Sequence, residues 1–132
     1  MAVDRELLIQ TVIEELKNQG LDASAPEQVG ADYDIIVRLS KTCVVRLKVR
    51  TQTLDSKSTN NSVDIGGSYD FLIVVVDDNG KNRFFILSNS DVSAEKNGNA
   101  KLSISSGNGV LNNIARHEDK WDKIKKFSCE NV

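Results

Sequence analysis

The chain has 132 residues, of which 39% are hydrophobic, 17 are Lys or Arg and 19 are Asp or Glu, so its net charge is −2. This composition is typical of one folded domain, which we expect to span residues 1–132, and not of a disordered chain. The acidic balance excludes a protein that coats DNA through its overall charge, so any nucleic-acid function needs a local basic patch. No apolar run approaches the roughly 20 residues that span a membrane, and no signal peptide is evident. We therefore expect a cytoplasmic protein without membrane contact.

The first half of the chain predicts a helix followed by a β-hairpin. Residues Asp4 to Gln19 have apolar side chains at helical spacing, and Gly20 is where this helix would end. The segments Tyr33–Leu39 and Cys43–Val49 are rich in β-branched residues and are separated by a short polar turn, which is typical of a hairpin.

The second half predicts a polar loop, a second strand pair and closing helices. Thr51 to Ser68 is rich in Ser, Thr, Asn and Gly, and we expect a long mobile loop there. The later predicted elements are a buried strand at Tyr69–Val76, its partner at Asn82–Leu87, a short helix capped by Ser90 or Asp91, a short strand at Lys101–Ser105 and a helix over Val110–Phe127. The predicted fold class is α/β, with a mixed central sheet of about four strands flanked by helices.

Four single residues invite a structural interpretation. Cys43 and Cys129 lie far apart in the sequence, and we expect two free thiols in a reducing compartment. His117 lies among polar residues, so we expect a solvated side chain on a helix. Trp121 falls on the apolar side of the last helix and is more typical of a core residue than of a base-stacking platform.

The hairpin contains one pair of residues that could support catalysis. Asp34 opens its first strand and Lys48 ends its second, so the fold of the hairpin brings them side by side. A carboxylate that binds Mg²⁺ and a lysine that stabilises phosphate charge are the minimal parts of a metal-dependent phosphodiesterase site. The same pair also occurs in hairpins that have no catalytic function.

The order of these elements resembles that of the PD-(D/E)XK nuclease-like family, which includes restriction-endonuclease-like, homing-endonuclease-like and Holliday-junction-resolvase-like proteins. The resemblance rests on a helix, then YDIIVRL, a short turn and CVVRLKVRT, followed by YDFLIVVV and RFFILSNSDV. It implies a restriction-endonuclease-like fold, DNA as substrate, Mg²⁺ as cofactor and a homodimer that cuts both strands. It also implies that Asp34 and Lys48 are catalytic, and that Asp34 and a helix glutamate, Glu6 or Glu15, bind the metal.

Arg46 departs from the motif, because the family has Glu or Gln at this position and a guanidinium cannot bind Mg²⁺. It also forms a row of cations at two-residue spacing, about 7 Å apart, with Lys48 and Arg50. Such a row suits nucleic-acid phosphates. Further cations could extend it: Arg38, Lys41 and Lys57.

Three alternatives to an active endonuclease remain open at this point. The domain could keep the nuclease-like fold with a degraded site and bind DNA or a protein partner. The cation row could be a solvated outer face of the hairpin, neutralised by Asp32 or Asp34. The chain could also be an α/β domain unrelated to nucleic acid.

Overall fold

The computed structural model describes residues 5–26, 33–54, 61–78, 80–96, 101–105, 111 and 113–127. Three α-helices lie within these ranges: α1 (Arg5–Asn18), α2 (Asn89–Lys96) and α3 (Asp122–Lys125), with a 3-10 helix at Asn113–His117. The strands are β1 (Asp22–Ser24), β2 (Ile35–Arg38), β3 (Val44–Leu54), β4 (Asn61–Asp64), β5 (Phe71–Asp78), β6 (Lys81–Ser88) and β7 (Lys101–Ser105). No helix in the described ranges is both long and apolar enough to cross a membrane.

Five of the strands form one mixed sheet, in the order β1-β2-β3-β5-β6. The central pair, β3 and β5, is parallel, and the other neighbours are antiparallel. The strands β4 and β7 form a separate antiparallel ribbon. This architecture confirms the predicted α/β class with a mixed sheet and flanking helices, and the sheet has five strands where about four were expected.

The sheet has an apolar core on each face, and β5 contributes alternate residues to both. Phe71, Ile73 and Val75 belong to a first core, which also contains the apolar stripe of α1. Leu72, Val74 and Val76 belong to a second core, which lies against α2, β7 and the 3-10 helix. Burial on both faces explains why β5 reads as a continuous apolar run in the sequence.

Helix α1 is confirmed, and its end fixes how the chain enters the sheet. Its buried stripe consists of Leu8, Val12, Ile13 and Leu16. The amide of Gly20, at φ 85°, donates to the Lys17 carbonyl, and the amide of Leu21 donates to the Leu16 carbonyl at 3.0 Å. This pair of bonds is a Schellman motif, and it brings Leu21 back onto Leu16 in the first core.

The segment Thr51–Ser68 contains more strand than its polar composition predicts. β3 continues to Leu54 because its parallel register with β5 runs from Leu47–Phe71 to Leu54–Asp78, so β5 supplies hydrogen-bond partners to polar residues. Strand β4 occupies a further part of the segment. Residues 55–60 lie outside the described residues, and the mobility of the segment stays a prediction.

The predicted helix over Val110–Phe127 is wrong, because two short helices separated by a turn occupy its described part. Asp119 has φ 56°, and its amide donates to the Phe84 carbonyl at 2.9 Å. Glu118 forms an isolated antiparallel bridge with Phe85. Hydrogen bonds to the edge of β6 therefore replace the bonds that a continuous helix would make within itself.

Two smaller predictions also need correction. The residue that caps α2 is Ser88, not Ser90 or Asp91, since Ser88 Oγ accepts the Asp91 amide and the Asp91 carboxylate accepts the Ser88 amide, which is a capping box. Cys43 is disulfide-bonded and is not a free thiol, and Cys129 lies outside the described residues. Separation in the sequence alone does not determine whether a cysteine is oxidised, so it could not predict the state of Cys43.

Candidate functional site

Asp34 lies immediately before β2 and holds the neighbouring strand through its side chain. Its amide donates to the Leu47 carbonyl at 2.8 Å, and its carboxylate oxygen Oδ2 accepts the Val49 amide at 2.8 Å. The carboxylate thus takes the place of a backbone acceptor where β2 begins. The bond thereby ties the start of β2 to β3 through a side chain.

Asp34 adjoins the strand that carries Lys48. The antiparallel register of β2 with β3 begins at Ile35–Leu47, and the Asp34 amide donates to the same Leu47 carbonyl, so the regular pairing does not extend to Asp34. The convergence of Asp34 and Lys48 stays a prediction. We expect the carboxylate and the ammonium to lie within about 10 Å, the range in which they still interact appreciably.

The alternation along β3 follows the predicted pattern. Val45, Leu47 and Val49 are fully buried in the first core, on the face that α1 covers. Arg46, Lys48 and Arg50 alternate with them and are half-buried. We call these three residues the cation row; it lies on the sheet face opposite α1.

Asp70, which immediately precedes β5, contacts Arg46 of the cation row. No pattern in the sequence indicated this contact. The Arg46 amide donates to Asp70 Oδ2 at 2.8 Å, and the Asp70 amide donates to the Arg46 carbonyl at 2.8 Å. The guanidinium meets the same carboxylate through Nε and Nη2, each at 3.4 Å from an Asp70 oxygen. A further contact joins Nη1 to Ser68 Oγ at 3.4 Å.

The two other members of the row have different neighbours on β5. Lys48 pairs with Leu72 and Arg50 pairs with Val74, both of which are fully buried in the second core. Arg50 Nη1 donates to the Val49 carbonyl at 3.1 Å. The row therefore lies beside buried residues of the second core, and Asp70 pairs with Arg46 at one end of it.

The residues of this site do not make up a complete magnesium site. Within the described ranges, no group of three or more His, Cys, Asp or Glu side chains is arranged to hold a metal ion. Arg46 stands where the predicted PD-(D/E)XK motif would need an oxygen ligand, and a guanidinium cannot bind Mg²⁺. Glu6 is exposed in the first turn of α1, so its assignment as a metal ligand stays a prediction.

The proposed extensions of the row are only partly described. Arg38 is exposed at the end of β2, and Lys41 is exposed in the hairpin turn. Lys57 and Asp32 lie outside the described residues. Asp70 makes the ion pair with Arg46 that the sequence had suggested for Asp32 or Asp34.

A second polar cluster lies at the C-terminal segment, and it corrects the expectation for His117. His117 is 6% exposed and buried, not solvated. Its Nε2 lies 2.6 Å from Glu95 Oε2, and its Nδ1 lies 2.8 Å from Lys123 Nζ. An ammonium can only donate, so Nδ1 accepts from Lys123 and Nε2 donates to Glu95. Lys123 also donates to the Ile86 carbonyl at 3.0 Å and to Asp91 at 2.8 Å.

Both carboxylates of this cluster stay ionised because of their hydrogen bonds. Burial would raise the pKa of Glu95, but bonds from His117 and Arg116 lower it below its ordinary value. Burial would likewise raise the pKa of Asp91, but bonds from Lys123 and Ser88 lower it. Each nitrogen of His117 and Lys123 has a partner, so the cluster joins the C-terminal segment to α2 and β6 as a structural network.

The described part of the chain is an α/β domain with a five-stranded mixed sheet and flanking helices. The chain is similar over 96% of its length to the solved structure of a bacterial homing endonuclease, I-Ssp6803I, with a TM-score of 0.68, 15% sequence identity and 94% of that chain covered. This likeness confirms the nuclease-like fold. No protein-family model and no curated protein matches the sequence, and membership of the PD-(D/E)XK family stays a prediction.

Proposed function

We propose that this protein binds DNA and that the cation row on β3 holds the phosphates of the backbone. The observation that carries the proposal is the row itself, which consists of Arg46, Lys48 and Arg50 on one sheet face. Cations repeated along a straight strand, about 7 Å apart, can contact successive phosphates without reading the bases. The fold supports the proposal because its structural neighbour is a homing endonuclease.

The net charge of −2 is compatible with this proposal. Salt screens exposed charges beyond about 10 Å at 0.1 M, so a phosphate near β3 interacts with the row more than with acidic residues elsewhere. The buried side chains of Val45, Leu47 and Val49 fix the backbone of the row from the opposite face. Binding therefore needs little ordering of the strand that makes the contacts.

We predict that neutralising the row weakens DNA binding and reduces its salt dependence. The Lys48→Gln/Arg50→Gln variant is expected to bind duplex DNA at least about tenfold more weakly at low salt, since a hydrogen bond to a charged group contributes about 1.5–3 kcal/mol. The slope of log K against log salt should fall by about 0.9 for each phosphate that the variant no longer neutralises. Fluorescence anisotropy with labelled duplex, titrated across salt concentrations, measures both quantities.

A matched control removes the same charge elsewhere. Lys120 and Lys125 are exposed in the C-terminal segment, and α3 packs through Ile124 on the first core, on the other sheet face. The Lys120→Gln/Lys125→Gln variant should keep the wild-type slope. Equally weakened binding in the two variants would show that only overall charge matters, and the assignment of the row as the binding site would then be wrong.

DNA cleavage is a second candidate function, and it is favoured by a carboxylate, Asp34, that bonds the strand carrying Lys48. The ammonium of Lys48 is suited to stabilise the charge that develops on a phosphate under attack. The homodimer that double-strand cleavage needs stays a prediction, as does dependence on Mg²⁺. This function is tested separately from binding, because wild-type protein that binds DNA without cutting it in Mg²⁺ or Mn²⁺ has the first function alone.

If the protein cleaves plasmid DNA, Asp34→Asn should abolish cleavage without unfolding the hairpin. The asparagine amide oxygen can still accept the Val49 amide, so we expect the free energy of unfolding to change by less than about 1 kcal/mol. Removing the carboxylate should lower the cleavage rate by at least about 100-fold, the usual effect of removing one essential polar group. Plasmid nicking and urea unfolding, measured on the same preparation, separate the two effects. Undiminished cleavage would exclude Asp34 from catalysis.

A further inference from the structure

We infer that Asp70 is an intramolecular counter-ion for the cation row, which a DNA phosphate must displace from Arg46 before that arginine can contribute to binding. This inference rests on the proposed DNA-binding function. Asp70 uses both of its carboxylate oxygens on the Nε and Nη2 edge of the guanidinium. Phosphate binds arginine through paired N–H groups of the same kind, so Asp70 and a phosphate compete for the same donors.

The geometry of the pair suits an exchangeable contact. The side chain of Arg46 is 42% exposed, whereas that of Asp70 is 17% exposed. The contacts from Nε and Nη2 are each 3.4 Å, which is long for a charge-assisted hydrogen bond. Ion pairs with this degree of exposure are weak, so a phosphate can replace one without a large penalty.

Asp70 remains fixed when the guanidinium leaves. Its Oδ2 accepts the Arg46 amide at 2.8 Å, and its own amide donates to the Arg46 carbonyl at 2.8 Å. The two bonds hold the start of β5 against β3, and both use the backbone of Arg46, not its side chain. The carboxylate therefore stays in place beside the row while Arg46 turns to a phosphate.

This exchange has a specific consequence for the salt dependence of binding. A phosphate that Arg46 neutralises releases a counterion from DNA, which adds about 0.9 to the salt slope. Because Asp70 competes for the same N–H groups, Arg46 remains on the carboxylate in part of the complexes and neutralises no phosphate there. The wild-type protein should therefore show less than the full contribution of Arg46 to its salt slope.

The test is the salt dependence of duplex binding by Asp70→Asn. The amide oxygen of asparagine can still accept the Arg46 amide, so the fold is retained while the competing charge is removed. We expect the slope to steepen by up to about 0.9 and binding at low salt to tighten by about two- to fivefold, the range set by the strength of a partly exposed ion pair. In the Arg46→Gln background, Asp70→Asn should leave the slope unchanged.

The control is Asp122→Asn, which makes the same change in net charge at a side chain that is 77% exposed on α3. It should leave the slope at the wild-type value. Weaker binding by Asp70→Asn would mean that Asp70 holds Arg46 in its binding orientation, and an unchanged slope would mean that Asp70 does not compete with phosphate for Arg46. Either result overturns the inference while the proposed function stands. If neither wild type nor any variant binds DNA, the inference and the proposed function are both wrong.

Discussion

Replacing Trp121 with alanine is expected to lower the free energy of unfolding by about 3–5 kcal/mol, the usual cost of removing a large aromatic side chain from a core. Trp121 is 4% exposed in the first core, and its ring lies 5.7 Å from that of Phe84. Its burial confirms the prediction that Trp121 is a core residue. Urea unfolding followed by far-UV circular dichroism measures the decrease, because the variant has no tryptophan to report by fluorescence.

A second substitution at this position separates a core role from a base-stacking role. Trp121→Phe keeps an aromatic ring against Phe84 and should destabilise the protein less than half as much as Trp121→Ala. Both variants should bind DNA like the wild type at temperatures where they remain folded. Reduced affinity at unchanged stability would show that Trp121 contacts nucleic acid. Trp121 would then have to leave the first core when the protein binds DNA.

Local patterns in the sequence predicted the elements whose burial repeats at a regular spacing. The α1 stripe and the alternation of Val45, Leu47 and Val49 both follow from one face being buried, and each pattern fits within a single element. The pairing of β2 with β3 was also predictable, because a hairpin with a short turn allows little freedom of register. These features depend on residues close together in the chain.

The ion pair of Arg46 with Asp70 depends on a contact between residues 24 apart in sequence. The parallel register of β3 with β5 places them together, and β4 lies in the segment that connects those strands. No periodic pattern in one segment determines which strand lies beside it or at which residue the pairing starts. Asp70 lies near the start of a predicted strand and had no other distinguishing signal.

His117 was assigned wrongly for a related reason. Its neighbours Arg116, Glu118 and Asp119 are polar, and a continuous helix would have placed all of them in solvent. The turn at Asp119 and the ion pair of Glu118 with Arg83, at 2.8 Å, fasten this segment to the edge of β6 instead. A cluster of polar residues that pair with one another can be buried as a unit, and a hydrophobicity pattern does not reveal it.

Glu95→Ala is expected to lower the free energy of unfolding by about 2–3 kcal/mol at pH 7. The side chain of Glu95 is 5% exposed, and its removal leaves the Nε2 proton of His117 without its acceptor. An unsatisfied buried donor costs about 1–3 kcal/mol, and more when its former partner was charged. Glu95→Gln keeps an acceptor oxygen and should be destabilised about half as much. Urea unfolding followed by the fluorescence of Trp121 measures both variants.

The pH dependence of this destabilisation identifies the charge of Glu95 as its source. Because the pKa of Glu95 is lower in the folded protein than its ordinary value of 4.5, the carboxylate stabilises the fold fully above that pH. The contribution disappears as the pH falls through the lowered folded pKa. The difference between wild type and Glu95→Ala should therefore shrink as the pH falls below about 4.5. Glu14→Ala, at an exposed position on α1, should show no such change. A difference for Glu95→Ala that persists undiminished at pH 3 would mean that Glu95 stabilises the C-terminal segment by packing alone.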